Sequence, residues 1–127
     1  MNALFLVYLI VEAIFGTGFL FVPGLMMDPM GVILDETSTT FARLFGSVII
    51  SISVLLFFAR KSTHSEFKRG VVYPVFIYLL ASTIILLITQ LKGLMNPLGW
   101  GIVILHFVFM LWFGYYLINQ GKIDSSR

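Results

Sequence analysis

The sequence predicts an all-α polytopic membrane protein, with four transmembrane helices in an up-down-up-down bundle and both termini in the cytoplasm. Three observations carry this prediction. The 127 residues are 59% hydrophobic and 11% charged, whereas a soluble domain carries about 25% charged residues, so there is too little charge to cover a water-facing surface. The apolar residues fall into four long segments, each close to the ~20 residues an α-helix needs to cross ~30 Å of hydrocarbon. None of these segments has a polar face, which argues against buried helices of a soluble protein. The basic residues, finally, are concentrated on one side of the segments. The length allows one domain, 1–127.

The first span covers about 3–23 and stops at Pro23-Gly24. It has no Lys or Arg ahead of it, carries Glu12 in its middle and lacks a small-x-small cleavage site, so it reads as an uncleaved helix rather than a signal peptide. The second span covers about 41–59. Asp35 and Glu36 precede it, where negative charge suits a helix N-terminus. The third covers about 71–91, with Pro74 in its first turn and Gly93 after its end. The fourth covers about 98–119. Asn96-Pro97 reads as its N-cap and first-turn proline, and Gly121-Lys122 as its end.

The link between the second and third spans holds Arg60, Lys61, Lys68 and Arg69, and the tail adds Lys122 and Arg127. With Arg43 of the second span left aside, the opposite side has only Lys92, together with Asp28, Asp35 and Glu36. The positive-inside rule therefore puts the link and both termini in the cytoplasm. Anionic lipid contact accounts for the same basic residues, and no nucleic-acid partner is expected. The loop over 24–40 is too apolar for a free loop. It either lies along the outer leaflet or caps the bundle mouth.

At 1.5 Å per residue, Glu12 lies roughly 14 Å into its span, near the midplane. Ser51, Ser53, Ser82 and Thr83 fall at a similar depth, and His106 lies within roughly 3 to 7 Å of that level. Ser and Thr in membrane helices commonly bond their own backbone carbonyls. Ionisable residues at this depth mark functional sites or face a bundle interior. Tyr8 and Gly16 stand one turn either side of Glu12. The candidate intramembrane polar site is therefore Glu12, His106, Arg43, Tyr8, Ser51 and Ser82. In this reading Glu12 hydrogen-bonds His106, directly or through water, and Arg43 closes the outer end. The alternative is a protonated Glu12 held by a neighbouring carbonyl or hydroxyl. Gly46, one turn beyond Arg43 and next to Ser47, is expected to face another helix, because glycine gains nothing from lipid.

Cysteine is absent, which excludes disulfides, thiolate chemistry and cysteine-ligated metals. His64 lies in the cytoplasmic link, too far from His106 to share an ion, so no metal site is expected. No P-loop, dinucleotide fingerprint, H-E-x-x-H or G-x-S-x-G is present, so no catalytic residues and no cofactor are assigned.

A first helix ending in "FVPG", a loop with Met and Asp, and then "FARLFGSVIISISVLLFFAR" resemble the DoxX-like group of small four-helix bacterial membrane proteins. Arg43-x-x-Gly46 is the sharpest part of the likeness. The resemblance implies a multi-pass protein of the bacterial inner membrane. Some DoxX-like proteins are accessory subunits of quinone-linked oxidoreductases, but no redox motif in this chain carries that chemistry over. The expected function is thus an accessory or scaffold subunit without catalysis, in contact with membrane lipids and assembled as a homo-oligomer or within a larger membrane complex. Two alternatives stand beside it: a small transporter or proton-coupled carrier using Glu12 and His106, and a lipid- or quinone-linked membrane enzyme.

The topology is open to cysteine labelling in a chain with no cysteine of its own. In intact cells, Ser62→Cys and Ser125→Cys are expected to resist an impermeant thiol reagent and Ser38→Cys to react. The opposite pattern reverses the orientation.

Overall fold

A computed structural model describes residues 1–124. Its helices are α1 (Asn2–Phe21), the short α2 (Pro23–Met27), α3 (Glu36–Lys61), α4 (Ser65–Leu91) and α5 (Gly99–Asp124), with a 3₁₀ turn at Asp28–Met30 after α2. α1, α3 and α4, and α5 over Gly99–Asn119, are long and apolar enough to cross a membrane. Arg127 and Ser125 lie outside the described residues.

The helices run beyond the apolar segments. α3 starts at Glu36 and α4 at Ser65, inside the polar stretches that flank each span. At about 1.5 Å per residue, α3 and α4 are longer than the ~30 Å needed to cross a hydrocarbon layer. Asp35 caps α3: its carboxylate accepts the Ser38 N–H at 2.7 Å. The Ser38 hydroxyl and N–H hold the Asp35 carboxyl below the usual carboxylate range. Asn96 caps the approach to α5 by accepting from Leu98 N–H at 2.9 Å, and regular helix begins at Gly99. At the other end, α5 does not stop at Gly121-Lys122 but continues to Asp124. A single glycine costs a helix only about 1 kcal/mol and need not end it.

The four long helices form two close antiparallel pairs, α1 with α3 and α4 with α5. α1 and α3 cross at Gly16 and Gly46. A Cβ added to Gly46 would stand 2.6 Å from Leu20 N and 2.8 Å from Gly16 O, so the two backbones touch with no room for a side chain. Both glycines are buried. Ser53, further along the same seam, donates its hydroxyl to Leu9 O at 2.8 Å. Near-backbone packing and interhelical hydrogen bonds hold helices together in a bilayer, where apolar burial drives nothing.

The two pairs join at the end that carries the basic link. Leu4, Phe5, Tyr8, Leu56, Ala59, Val71, Val72, Val75, Leu79, Phe109 and Phe113 make one continuous core there. The Lys68 ammonium donates to Asn2 Oδ1 at 3.0 Å across the same end. At the opposite, acidic end Met27, Met30 and Leu34 of the segment after α1 cover the space between the helices, while Leu25 and Ile33 of the same segment are exposed. Pro23 is buried. Asn96 binds the cap from the 92–98 loop: its N–H donates to Met30 O and its Nδ2 to Pro29 O, each at 2.8 Å. Gln90 Nε2 supports that loop by donating to Asn96 O at 3.2 Å. Gly31 (φ 76°) and Gly93 (φ 70°) take the left-handed turns that end the 3₁₀ turn and α4.

Two stability predictions follow from the α1–α3 seam. Gly46→Leu is expected to destabilise the protein in detergent by about 3 kcal/mol or more, since only backbone surrounds the site. Gly101→Leu, where a Cβ meets nothing within 4 Å, is expected to leave the melting temperature unchanged. Equal tolerance would disprove the crossing. In the same assay Ser53→Ala is expected to cost about 1 kcal/mol, the worth of one hydrogen bond. Ser51→Ala, whose hydroxyl serves only its own helix, is expected to cost nothing measurable; equal losses at both positions would remove the interhelical bond.

Candidate functional site

The periodicity of α1 puts Tyr8, Glu12 and Gly16 on one buried face. Gly16 is taken up by the contact with α3. One turn earlier, Glu12 is left facing the space between the two helix pairs, halfway along α1. This space is a cavity of about 410 Å³ in the acidic half of the molecule, within the ~300–1,000 Å³ range of small-molecule sites. Tyr8, Leu79 and Phe109 form its floor, where it meets the packed core. Met27, Met30 and Leu34 of the cap, with Met95, form its roof. Its side walls are mostly aromatic and aliphatic.

Five polar side chains line it: Tyr8, Glu12, Tyr78, Ser82 and His106. Tyr8 is 1% exposed and Glu12 5% exposed. The Tyr8 ring is fixed by Phe109 at 4.7 Å and Phe113 at 5.1 Å between centroids. Its hydroxyl and Glu12 Oε2 are both buried without a hydrogen-bond partner. They are neighbours one turn apart and close enough to interact, but no hydrogen bond of good geometry joins them. His106 Nδ1 lies 2.9 Å from Ile102 O. A carbonyl only accepts, so Nδ1 carries the proton, and in the neutral ring Nε2 offers a lone pair. The Tyr78 and His106 rings stand 6.4 Å apart. Ser82 follows Tyr78 by one turn of α4, so α4 places two hydroxyls on the wall facing α1.

Of the residues singled out in the sequence, Glu12, Tyr8, Ser82 and His106 thus share one cavity, and two do not. Ser51 is exposed on the outside of α3 and its hydroxyl donates to Ser47 O at 3.0 Å, the back-bonding common to serine in apolar helices. Arg43 is exposed too, and its neighbours Ala42 and Phe45 line the cavity in its place. Because Gly46 faces α1, Arg43 is carried round to the outside, where a long cationic side chain can reach the interface. Arg43 therefore does not close the outer end of the site; the methionines of the cap do. Nor is there a direct Glu12–His106 bond: the imidazole proton goes to its own helix instead. Thr83, like Ser51, bonds its own helix, at Leu79 O.

Tyr78 is the site residue that the sequence did not single out. The available signal was its i, i+4 spacing to Ser82. Ser53 was recognised by depth, but its bond to Leu9 on another helix was not. Among the described residues no group of three or more His, Asp or Glu side chains is placed to hold a metal ion.

The profile of the family named domain of unknown function DUF8292 matches residues 6–123. No curated protein and no solved structure matches the chain. The matched region contains Tyr8, Glu12, Tyr78, Ser82 and His106, with the cap and the glycine crossing that frame them, and the chain belongs to the DUF8292 family.

Proposed function

We propose that this protein binds a small, largely apolar molecule in the cavity between its helix pairs, with Glu12 and Tyr8 as the polar recognition point. One observation carries the reading: an otherwise apolar cavity of ligand size presents two deeply buried polar atoms, Tyr8 Oη and Glu12 Oε2, that the protein itself leaves unpaired. Each such group costs about 1–3 kcal/mol, and a ligand that pairs with both recovers that cost on binding. Tyr78, Ser82 and His106 supply further donors and a lone pair on the opposite wall, enough to orient a molecule with one polar end. The positive-inside rule and the DoxX-like resemblance support a bacterial cytoplasmic membrane, with the cavity in the outer half of the bilayer.

An accessory role in a complex is the second reading. Ser47 and Ser51 are exposed, one turn apart, on the lipid-facing side of α3, and small residues at this spacing let a second helix approach closely. Ligand binding and assembly are compatible roles.

Native mass spectrometry from nanodiscs formed directly from the source membrane tests both. Wild-type protein is expected to retain one small molecule per chain that survives removal of bulk lipid. Tyr8→Phe and Glu12→Gln are each expected to weaken retention by about fivefold, the equivalent of one hydrogen bond of ~1 kcal/mol. Equal retention by both variants, or no molecule beyond bulk lipid in the wild type, would sink the binding reading. The mass of the intact particle reports the assembly in the same spectrum.

A further inference from the structure

The cavity is not walled equally on all sides. Its lining residues on α1 and α5 are turned inward. Three lining side chains are instead exposed on the outside of the molecule: Phe41 (66%) and Phe45 (41%) on α3, and Ile85 (63%) on α4. These two helices are linked through 62–64 and close against each other at that end through Leu56, Ala59, Val71, Val72 and Val75. Away from the link they diverge, and the side chains at the divergence face the cavity and the surroundings together. Phe45 is steadied by an edge contact to Phe19 at 5.7 Å. On the α1 and α5 sides no lining residue is exposed. The floor is packed core, and the roof is the methionine-lined cap, held to the 92–98 loop by Asn96.

Resting on the ligand-binding reading above, we infer that the ligand reaches Glu12 and Tyr8 sideways from the bilayer, through the gap between α3 and α4 framed by Phe41, Phe45 and Ile85. It is therefore a neutral lipophile that carries a carbonyl or hydroxyl group at its leading end. The chemistry of the route sets this class. Every group that frames the gap is a hydrocarbon, and no Lys or Arg lines the cavity to pair with an anion. A phospholipid headgroup or a fatty-acid anion is thereby disfavoured. The polar partners lie at the deep end of the cavity, beside its floor, so the polar group goes in first and the apolar remainder trails toward the gap. A carbonyl oxygen accepts from the Tyr8 hydroxyl. A hydroxyl group both donates to Glu12 Oε2 and accepts from Tyr8.

The test uses 4-decylbenzophenone, a neutral carbonyl-headed lipophile that cross-links on illumination, dissolved in phosphatidylcholine vesicles containing the full chain. Samples are flashed at increasing times after mixing, and adducts are mapped by peptide mass spectrometry. Adducts are expected on the peptides containing Tyr8–Phe19 and Tyr78–Leu86. In the double variant Phe45→Trp/Ile85→Trp, which fills the gap, their initial rate of appearance is expected to fall by about fivefold or more, a barrier change well above experimental scatter. The same final yield shows that the variant is folded. Leu111→Trp, on the exposed side of α5, is expected to change nothing. An unchanged initial rate in the double variant overturns the lateral route and leaves the site intact. Equally rapid labelling by water-soluble benzophenone-4-carboxylate overturns the lipophile class. Absence of cavity adducts from both probes in wild-type protein overturns the site itself.

Discussion

The contact on which the rest of this structure depends is the one between the backbones of Gly16 and Gly46. Lipid tails are as apolar as leucine, so two helices in a bilayer gain little from hiding hydrocarbon in each other. They gain from approaching closely, and here the approach is close enough that a methyl group at Gly46 would collide with main-chain atoms of α1. Once that crossing is fixed, the rotation of α1 is fixed too. Glu12, one turn away from Gly16, cannot turn to lipid without unseating the glycine. It faces the interior because its helix is locked, and it shares the space between the helix pairs with Tyr8, Tyr78, Ser82 and His106. The rotation of α3 follows in the same way, which carries Arg43 away from the cavity and leaves Ala42 and Phe45 lining it.

The molecule solves its two ends by different means. At the basic end, large side chains such as Phe5, Tyr8, Leu79 and Phe113 fill the space between the pairs. At the acidic end the helices diverge, and loops close what side chains do not. A buried carboxyl beside a phenol, at the boundary between the packed and the hollow halves, is where both regimes meet. Glu12 belongs to neither: it is buried, yet it lines the cavity rather than the packed core. The cavity answers the question posed by a carboxylate inside an apolar run, since it gives that group a place to meet something other than hydrocarbon.

Much of the fold was legible in the sequence, and the illegible part has one physical cause. Hydropathy and punctuation report depth along the bilayer normal. Four spans, the break at Pro23, the cap at Asp35 and the shared level of Glu12, Ser82 and His106 are all statements about depth. Azimuth is different. These helices are apolar on every side, so side-chain polarity does not reveal which side meets a neighbour. Gly46 was an exception, because its small size is itself a packing signal. Ser51 and Ser53 show the ambiguity: they sit at the same depth and two residues apart, yet one bonds its own helix on the outside and the other joins α3 to α1. Tyr78 was passed over for the same reason, since nothing local distinguishes a tyrosine that faces a cavity from one that faces lipid. Arg43 and Gly46 are three residues apart, yet one is exposed and the other meets the backbone of α1.

The Asn96 bonds to Met30 O and Pro29 O bear on the mechanics of the whole molecule. The cap belongs by sequence to the α1–α3 pair and the 92–98 loop to the α4–α5 pair, so these bonds act as a latch across the end where the pairs are otherwise apart. The Asn96–Pro29 bond is exposed, and water can replace such a bond at a net cost of only about 1 kcal/mol. The stiffness of the molecule is therefore graded along its axis: rigid where rings interlock, compliant where a single asparagine spans the gap. Small changes in the separation of the helix pairs are absorbed at the capped end rather than in the core. A change in the separation of the helix pairs at that end changes the shape of the cavity between them.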